Sequence, residues 1–404
     1  MSKCYNDRIL EIKTNIQLKR YKMSFTNTDI FTISFLLISI IVSYISRKIT
    51  PASPINVSND NSLEGLRGMA CLFVFINHAS YSLNHIGINN FEMMGNSPYT
   101  GRMGAFGVEI FFCLTGYLFS KKIKNGGIDL SFFEKRIRRL APAYIIISMF
   151  AISYFLFIKH DVIHNYYDIS VLIQQVFGFG FFGSSISIRG ISDSSLNAVT
   201  WTLPYEWKFY AIVPFLSVIY RKKKLTPLII VFGISILCVD YWSNMFLWGY
   251  FVTGFLSSYI NETKSMYIKT PLFIAMTVLV LYAYKGDFEI HGFEMFVIVS
   301  LFFMAFIMSR PKLFTASLFV YIGTISYSIY LSHQIITTII MRCFSYSYDL
   351  TNIAMSNYLL LCALAVLITF IASAISFNMI EKKFITTYAK DANEKSKKLT
   401  TEYK

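Results

Sequence analysis

The chain has 404 residues, of which 54% are hydrophobic and only 15% charged, and its mean hydropathy is +0.50. Soluble domains carry about 25% charged residues, so a soluble globular protein is excluded. Apolar stretches recur along the whole length and indicate an all-α polytopic membrane protein. The formal net charge of +14 would suit nucleic acid, but the basic residues fall mostly in loops on one side, so no nucleic-acid partner is expected.

In chain order, residues 1–62 form an N-terminal extension. It holds Lys3, Arg8, Lys13, Lys19, Arg20 and Lys22, then the apolar segment 29–46, then a linker at 49–62 rich in Pro, Ser and Asn. The apolar segment either lies in the membrane interface or crosses as an eleventh span, with translation starting at Met23. The eleventh crossing is the preferred reading. Ten spans follow near 66–84, 105–120, 140–158, 202–220, 225–241, 244–260, 271–285, 291–309, 316–341 and 355–380. They make up a membrane domain at 63–385, and a basic tail occupies 386–404. With residue 66 on the cytoplasmic side, the inside loops and tail carry 22 Lys and Arg against five outside. That asymmetry is the positive-inside pattern and puts the C-terminus in the cytoplasm.

The longest outside connection, 159–200, contains the glycine-broken apolar piece VLIQQVFGFGFFG. It is expected to lie at the outer interface and to cover a cavity. No internal repeat is visible, which weakens transporter architectures built from duplicated halves. The six cysteines have no CxxC spacing and fall mostly in apolar spans, as small buried hydrophobes do. His160 and His164 are four apart in HDVIH but lack the glutamate of a zincin helix. No metal site is expected.

Chemistry concentrates at a few polar residues in apolar surroundings. Arg67 and His78 are eleven residues apart in SLEGLRGMACLFVFINHASYS, which on a helix is about 16 Å and three full turns, so both share one face. Intramembrane ionisable groups are costly unless they face a cavity or a partner. The plainer alternatives are an arginine that snorkels to the interface and a hydrogen-bonded core histidine. Arg136 and Arg139 are neighbours on one face of the third span, with Arg138 pointing elsewhere. Their planar forks suit phosphate oxygens, and a topogenic stop signal is the alternative.

Glu206, in TWTLPYEWKFYAIVPFL, is expected just inside the outer boundary, where it could orient His78 or bind a sugar hydroxyl. Trp201 beside it is either a sugar platform or part of the interfacial aromatic belt. His333, in SYSIYLSHQ, falls in the outer half of the ninth span, and Glu109, in GVEIFFCLTGYLF, near the outer end of the second. No Walker A or GxSxG motif is present. Positively charged groups therefore gather at the cytoplasmic face, with histidines and carboxylates nearer the outside.

LEGLRG with Arg67 and His78, GVEIFFCLTGYL, Arg136-x-x-Arg139 followed by LAPAY, WTLPYEWKFY and SYSIYLSHQ occur in that order. With these five motifs the chain resembles the acyltransferase-3 family of integral membrane acyltransferases, which includes O-antigen and other polysaccharide O-acetyltransferases, over about residues 62–385. The resemblance implies a ten-helix core that moves an acyl group, most often acetyl, from cytoplasmic acyl-CoA to an outer acceptor. His78 then matches the family's essential histidine, and Arg67, Arg136 and Arg139 match the arginines tied to the CoA donor. Glu109 stands where Asp is usual, Thr115 where Ser is usual, and Pro204 in a slot often held by Ser.

The implied enzyme consumes acetyl-CoA as a substrate and holds no permanent cofactor. It acylates a carbohydrate or lipid-linked glycan such as O-antigen or exopolysaccharide, among membrane lipids of the bacterial inner (plasma) membrane, with His78 as general base. Glu109, Trp201 and His333 are held as acceptor-side or supporting residues, and Glu206 as a catalytic partner. The competing reading is a carbohydrate or lipid transporter or flippase with proton-coupled histidines. A polysaccharide polymerase ranks lower, because the 159–200 loop offers only Arg189.

Overall fold

The computed structural model describes residues 26–52, 54, 60–88, 98–125, 131–182, 186–188, 191–193, 198–222 and 226–386. The basic stretch with Met23, Arg189 and the tail from 387 lie outside them. Among the described residues the chain forms α1 (Asn27–Ile49), α2 (Asn61–Ser80), α3 (Pro98–Asn125), α4 (Ser131–Ile158), α5 (Tyr166–Phe177), α6 (Leu203–Arg221), α7 (Thr226–Ser243), α8 (Leu247–Ser257), α9 (Met266–Lys285), α10 (Phe293–Ser309), α11 (Ser317–Thr324), α12 (Ser326–Ser345) and α13 (Met355–Ser376). The only strands among the described residues are β1 (Ile186–Ile188) and β2 (Ile191–Asp193), paired antiparallel as a short hairpin.

Among the described residues, five helical stretches are long and apolar enough to cross a membrane: Asn27–Ile49, Pro98–Lys124, Phe132–Ile158, Met266–Lys285 and Met355–Thr386. The other expected spans also fall on helices, but these are shorter or more polar. The ninth expected span is two helices. At Ile325 the backbone (φ −99°, ψ 7°) leaves the helical region and separates α11 from α12. Past α13 the chain continues through a π-type turn at Phe377–Glu381 that carries Glu381 into the interior, where it accepts from the Ser328 hydroxyl at 2.5 Å.

The apolar segment 29–46 lies within α1, which packs against α2, α11 and α13 and is long and apolar enough to cross a membrane. Thr26 and Asp29 form a capping box at its start. One face is apolar and buried: Phe35 meets Phe75 at 5.3 Å and Phe31 meets Tyr358 at 5.9 Å between ring centroids. Polar contacts fix both ends. Near the start, Lys285 pairs with Asp29 at 2.6 Å and Thr32 meets the Tyr284 hydroxyl at 3.2 Å. Near the finish, Ser46 meets the Tyr321 hydroxyl at 2.8 Å and Arg47 donates to Ser317 at 2.6 Å.

Close helix crossings are made at glycines, as expected where no hydrophobic force drives helices together in lipid. α3 and α8 cross where Gly116 lies on the Phe251 carbonyl and Gly254 on the Cys113 carbonyl; a methyl at either position would overlap that oxygen. α2 runs against α3 with Gly107 on the Ala70 carbonyl, and against the short 3-10 turn Lys312–Thr315 and α11 with Gly65 on Phe314 and Gly68 on Phe319. These contacts hold α2, the helix of Arg67 and His78, between α3 and α11.

The 159–200 connection does more than cover a surface. The apolar face of α5 packs through Leu172 into a cluster with Ala151 and Phe155 of α4. A left-handed turn at Phe179 (φ 48°) and Gly180 (φ 81°) then drives the Phe179 ring between Tyr144 (4.7 Å) and Trp207 (5.3 Å). α6 therefore starts from a chain already folded into the bundle, and its first turn lies deeper than the sequence implied.

Gly116→Ala should lower thermal stability in detergent through overpacking, which costs about 1–3 kcal/mol. Gly233→Ala in α7, where nothing lies within 4 Å of an added Cβ, should be neutral or slightly stabilising. Midpoints from heating followed by fluorescence-detected gel filtration check the contrast, and equal midpoints would contradict the crossing.

Candidate functional site

The first turn of α2 is fixed by Asp60, whose carboxylate accepts from the Ser62 amide at 3.1 Å. One turn on, the Arg67 guanidinium donates to both oxygens of Glu64 at 2.8 and 2.9 Å. α4 brings Arg136 alongside. Its guanidinium lies over the rings of Phe119 at 4.9 Å and of Phe132 and Tyr210 at 5.9 Å. Such cation–π contacts ease the burial of an arginine, but its Nε is buried without a hydrogen-bond partner among the described residues. Arg138 points away and pairs with Glu134 at 2.9 Å, as its offset on the helix predicts.

Glu206 completes this end. It accepts from the Tyr210 hydroxyl at 2.7 Å and interacts electrostatically with Arg139, Arg67 and Arg136 together. The three arginines singled out in the sequence thus share the electrostatic field of one carboxylate. Glu206 belongs to this cluster, not to the outer boundary, because the Phe179–Gly180 turn carries the start of α6 inward. Sequence reasoning missed two further members. Tyr210 is four residues after Glu206 on the same face, a spacing that could have revealed it. Lys122, at the end of α3, shares the electrostatic field of Arg136 and Arg139.

The other end of α2 carries His78. Its Nδ1 hydrogen-bonds the Tyr81 hydroxyl at 2.7 Å, so Tyr81, and not Glu206, holds the imidazole. The His333 ring, 1% exposed, lies with its centroid 5.1 Å from that of His78. His333 Nδ1 donates to the Ile329 carbonyl at 2.9 Å, and its Nε2 is buried with no partner among the described residues. Phe75 backs His333 at 5.1 Å. His85 joins the group through Tyr81 at 5.2 Å between ring centroids, and its Nε2 lies 3.1 Å from Gln334 Nε2.

A stripe of α12 connects the two ends. Tyr327, Tyr330 and His333 are spaced three apart, hence on one face. Tyr327 donates to the Leu140 carbonyl at 2.8 Å. The Tyr330 hydroxyl donates to the Val199 carbonyl at 2.7 Å and meets Thr202 Oγ1 at 2.8 Å. Both tyrosines interact electrostatically with Glu206, and the Tyr330 ring lies 6.3 Å from that of His333. The guanidinium cluster and the histidine pair are thus the ends of one polar seam in an apolar bundle.

Glu109 and Trp201 do not join that pair directly. α3 begins at Pro98, seven residues before the expected span, so Glu109 lies well within the helix and not near its outer end. It is fully buried, with His291 Nδ1 2.9 Å from Oε1. Trp201 meets the same imidazole at 5.5 Å between ring centroids. Nothing in the sequence around His291, a loop residue 182 positions from Glu109, announces this pairing. No group of three or more His, Cys, Asp or Glu suited to a metal ion occurs among the described residues.

The acyltransferase domain family matches residues 60–374. An O-acetyl transferase of Shigella phage Sf6 is 25% identical over 308 residues, covering 70% of this chain and 85% of the relative. The peptidoglycan O-acetyltransferase OatA of Listeria monocytogenes is 24% identical over 374 residues, covering 79% of this chain and 55% of the relative. A putative O-acetyltransferase of Staphylococcus aureus is 26% identical over 318 residues, covering 67% and 49%. The chain thus spans about half the length of the two larger relatives. No solved structure matches significantly. With more than half of its length matched, and with relatives that are O-acetyltransferases by name, the chain belongs to the acyltransferase-3 family of membrane acyltransferases and is an enzyme of the O-acetyltransferase class.

Proposed function

We propose that this enzyme transfers an acetyl group from acetyl-CoA to a hydroxyl of a cell-surface carbohydrate, with His78 as general base. The observation that carries the proposal is the single continuous helix α2, with Arg67 inside the guanidinium cluster at one end and His78 against His333 and Tyr81 at the other. Eleven residues of helix separate the two by about 16 Å, a span suited to the pantetheine arm of coenzyme A. The diphosphate of the donor then docks among Arg67, Arg136 and Arg139, whose forks match phosphate oxygens. The thioester reaches the histidine end.

With Nδ1–H donating to the Tyr81 oxygen, His78 Nε2 keeps the lone pair that a base requires. The acceptor oxygen attacks the thioester carbonyl as its proton passes to Nε2. The new C–O bond forms, the C–S bond breaks, and the leaving thiolate recovers the proton as CoA–SH. Tyr81 fixes the imidazole as a second partner fixes a catalytic histidine elsewhere. Glu206 offsets part of the positive charge when the donor is absent. The surplus of Lys and Arg in alternate loops supports an inner-membrane location with the arginine end and the C-terminus in the cytoplasm.

His78→Ala should reduce acetyl transfer by about 10²–10⁴-fold, the usual worth of a positioned base, while the amount of protein in the membrane is unchanged. Radiolabel transfer from acetyl-CoA in isolated membranes checks it, and full activity would remove His78 from the mechanism. Arg136→Gln and Arg139→Gln should each raise KM for acetyl-CoA by about 10- to 100-fold, the worth of one charge-assisted phosphate contact. An unchanged donor KM in both variants would remove the arginines from donor binding. Mass spectrometry of surface glycan from cells with and without the gene should show loss of an acetyl ester, and an unaltered glycan would contradict the proposed acceptor class.

A further inference from the structure

A second buried acid–imidazole pair stands apart from His78. Glu109 on α3 has no exposed side-chain surface, and His291, which bonds it at 2.9 Å, keeps 11% of its side chain exposed. His291 comes from the loop between α9 and α10 and adopts a left-handed backbone (φ 64°), uncommon for a residue with a side chain. The Phe246 amide donates to its carbonyl at 2.8 Å and pins it there. A carboxylate on Nδ1 fixes the ring and its tautomer. Nε2 has no hydrogen-bond partner among the described residues and is not one of the buried unpaired atoms.

A run of aromatic side chains leads away from this imidazole. Trp201 meets it at 5.5 Å, Tyr205 follows at 6.2 Å from Trp201, and Trp248 lies 5.9 Å from Tyr205. Trp201 and Trp248 are each partly exposed. An oriented imidazole beside a partly exposed indole suits a ring with an apolar face and hydroxyl edges, because the indole covers the face and the nitrogen accepts from a hydroxyl. The place is also right. Thr202, the next residue after Trp201, meets the Tyr330 hydroxyl at 2.8 Å, and Tyr330 neighbours His333, which packs on His78.

We propose that Trp201, His291 and Glu109 form the subsite that holds the carbohydrate acceptor: the indole contacts the sugar ring, His291 Nε2 accepts from a hydroxyl that is not acylated, and Glu109 positions His291. This rests on acyl transfer to a carbohydrate, the reading given above. The sequence motifs supply Trp201 and Glu109 but not His291, which is the member that makes a site of them.

The test uses the full chain in lipid nanodiscs, radiolabelled acetyl-CoA and a panel of acceptors: the methyl glycosides of glucose, galactose, rhamnose and N-acetylglucosamine. Wild type is compared with His291→Gln, Glu109→Gln and Trp201→Leu for both Michaelis constants. Acceptor KM should rise about tenfold in each variant, the loss of one good contact, with acetyl-CoA KM changed by no more than about twofold. An unchanged acceptor KM in the variants, or a donor KM that rises in step with it, overturns the subsite. Should His291→Gln fail to fold, seen as lost acetyl-CoA binding, Trp201→Leu decides, since the partly exposed indole supports less of the core. A wild-type enzyme that acetylates none of the glycosides brings down the carbohydrate reading and the subsite with it. A wild type that acetylates them and variants that match it bring down the subsite alone.

Discussion

Three guanidiniums share the electrostatic field of one carboxylate near the foot of α2. Like charges gathered in an apolar bundle repel one another and lose hydration. Here they are tolerated through ring contacts from Phe119, Phe132 and Tyr210, through the Arg67–Glu64 pair, and through Glu206. These do not balance the charge. What remains is a surplus of positive charge, and the bundle is arranged to hold it: α2, α4 and α6 each contribute charged residues from their first two or three turns.

From that field the polar seam follows α12 to the histidines. A three-residue spacing keeps Tyr327, Tyr330 and His333 on one stripe, and each hydroxyl or imidazole is tied to backbone or to a neighbouring helix. The seam is stiff for that reason. α1 adds support from outside the matched family region: Phe35 packs on Phe75, Phe75 on His333, and His333 on His78. The N-terminal helix is therefore continuous with the wall behind the imidazole pair, and its Asp29–Lys285 and Arg47–Ser317 contacts fix both its ends.

Much of this was legible in the residues. The Arg67–His78 interval, the Arg136–Arg139 spacing and the polar residues of SYSIYLSHQ obey helical periodicity, and periodicity is local. Three features were not. Glu206 was misplaced because its depth depends on the left-handed turn at Phe179 and Gly180, which inserts the preceding segment into the bundle, and hydropathy does not encode re-entry. Tyr81 makes the contact on His78 that was one of two open roles for Glu206, because a hydroxyl three residues along the same helix is nearer than a carboxylate on another. His291 was invisible because its partner is 182 residues away and its loop looks like any short polar connection. Distant pairings of this kind carry no one-dimensional signature.

The central claim is that the guanidinium cluster and the imidazole pair serve one donor molecule. Cryo-electron microscopy of the chain in nanodiscs with a non-transferable acetyl-CoA analogue tests it most directly. The account predicts diphosphate density among Arg67, Arg136 and Arg139, with the acyl-bearing end beside His78. Density for the analogue elsewhere, or a nucleotide at the arginines whose arm points away from His78, would contradict it.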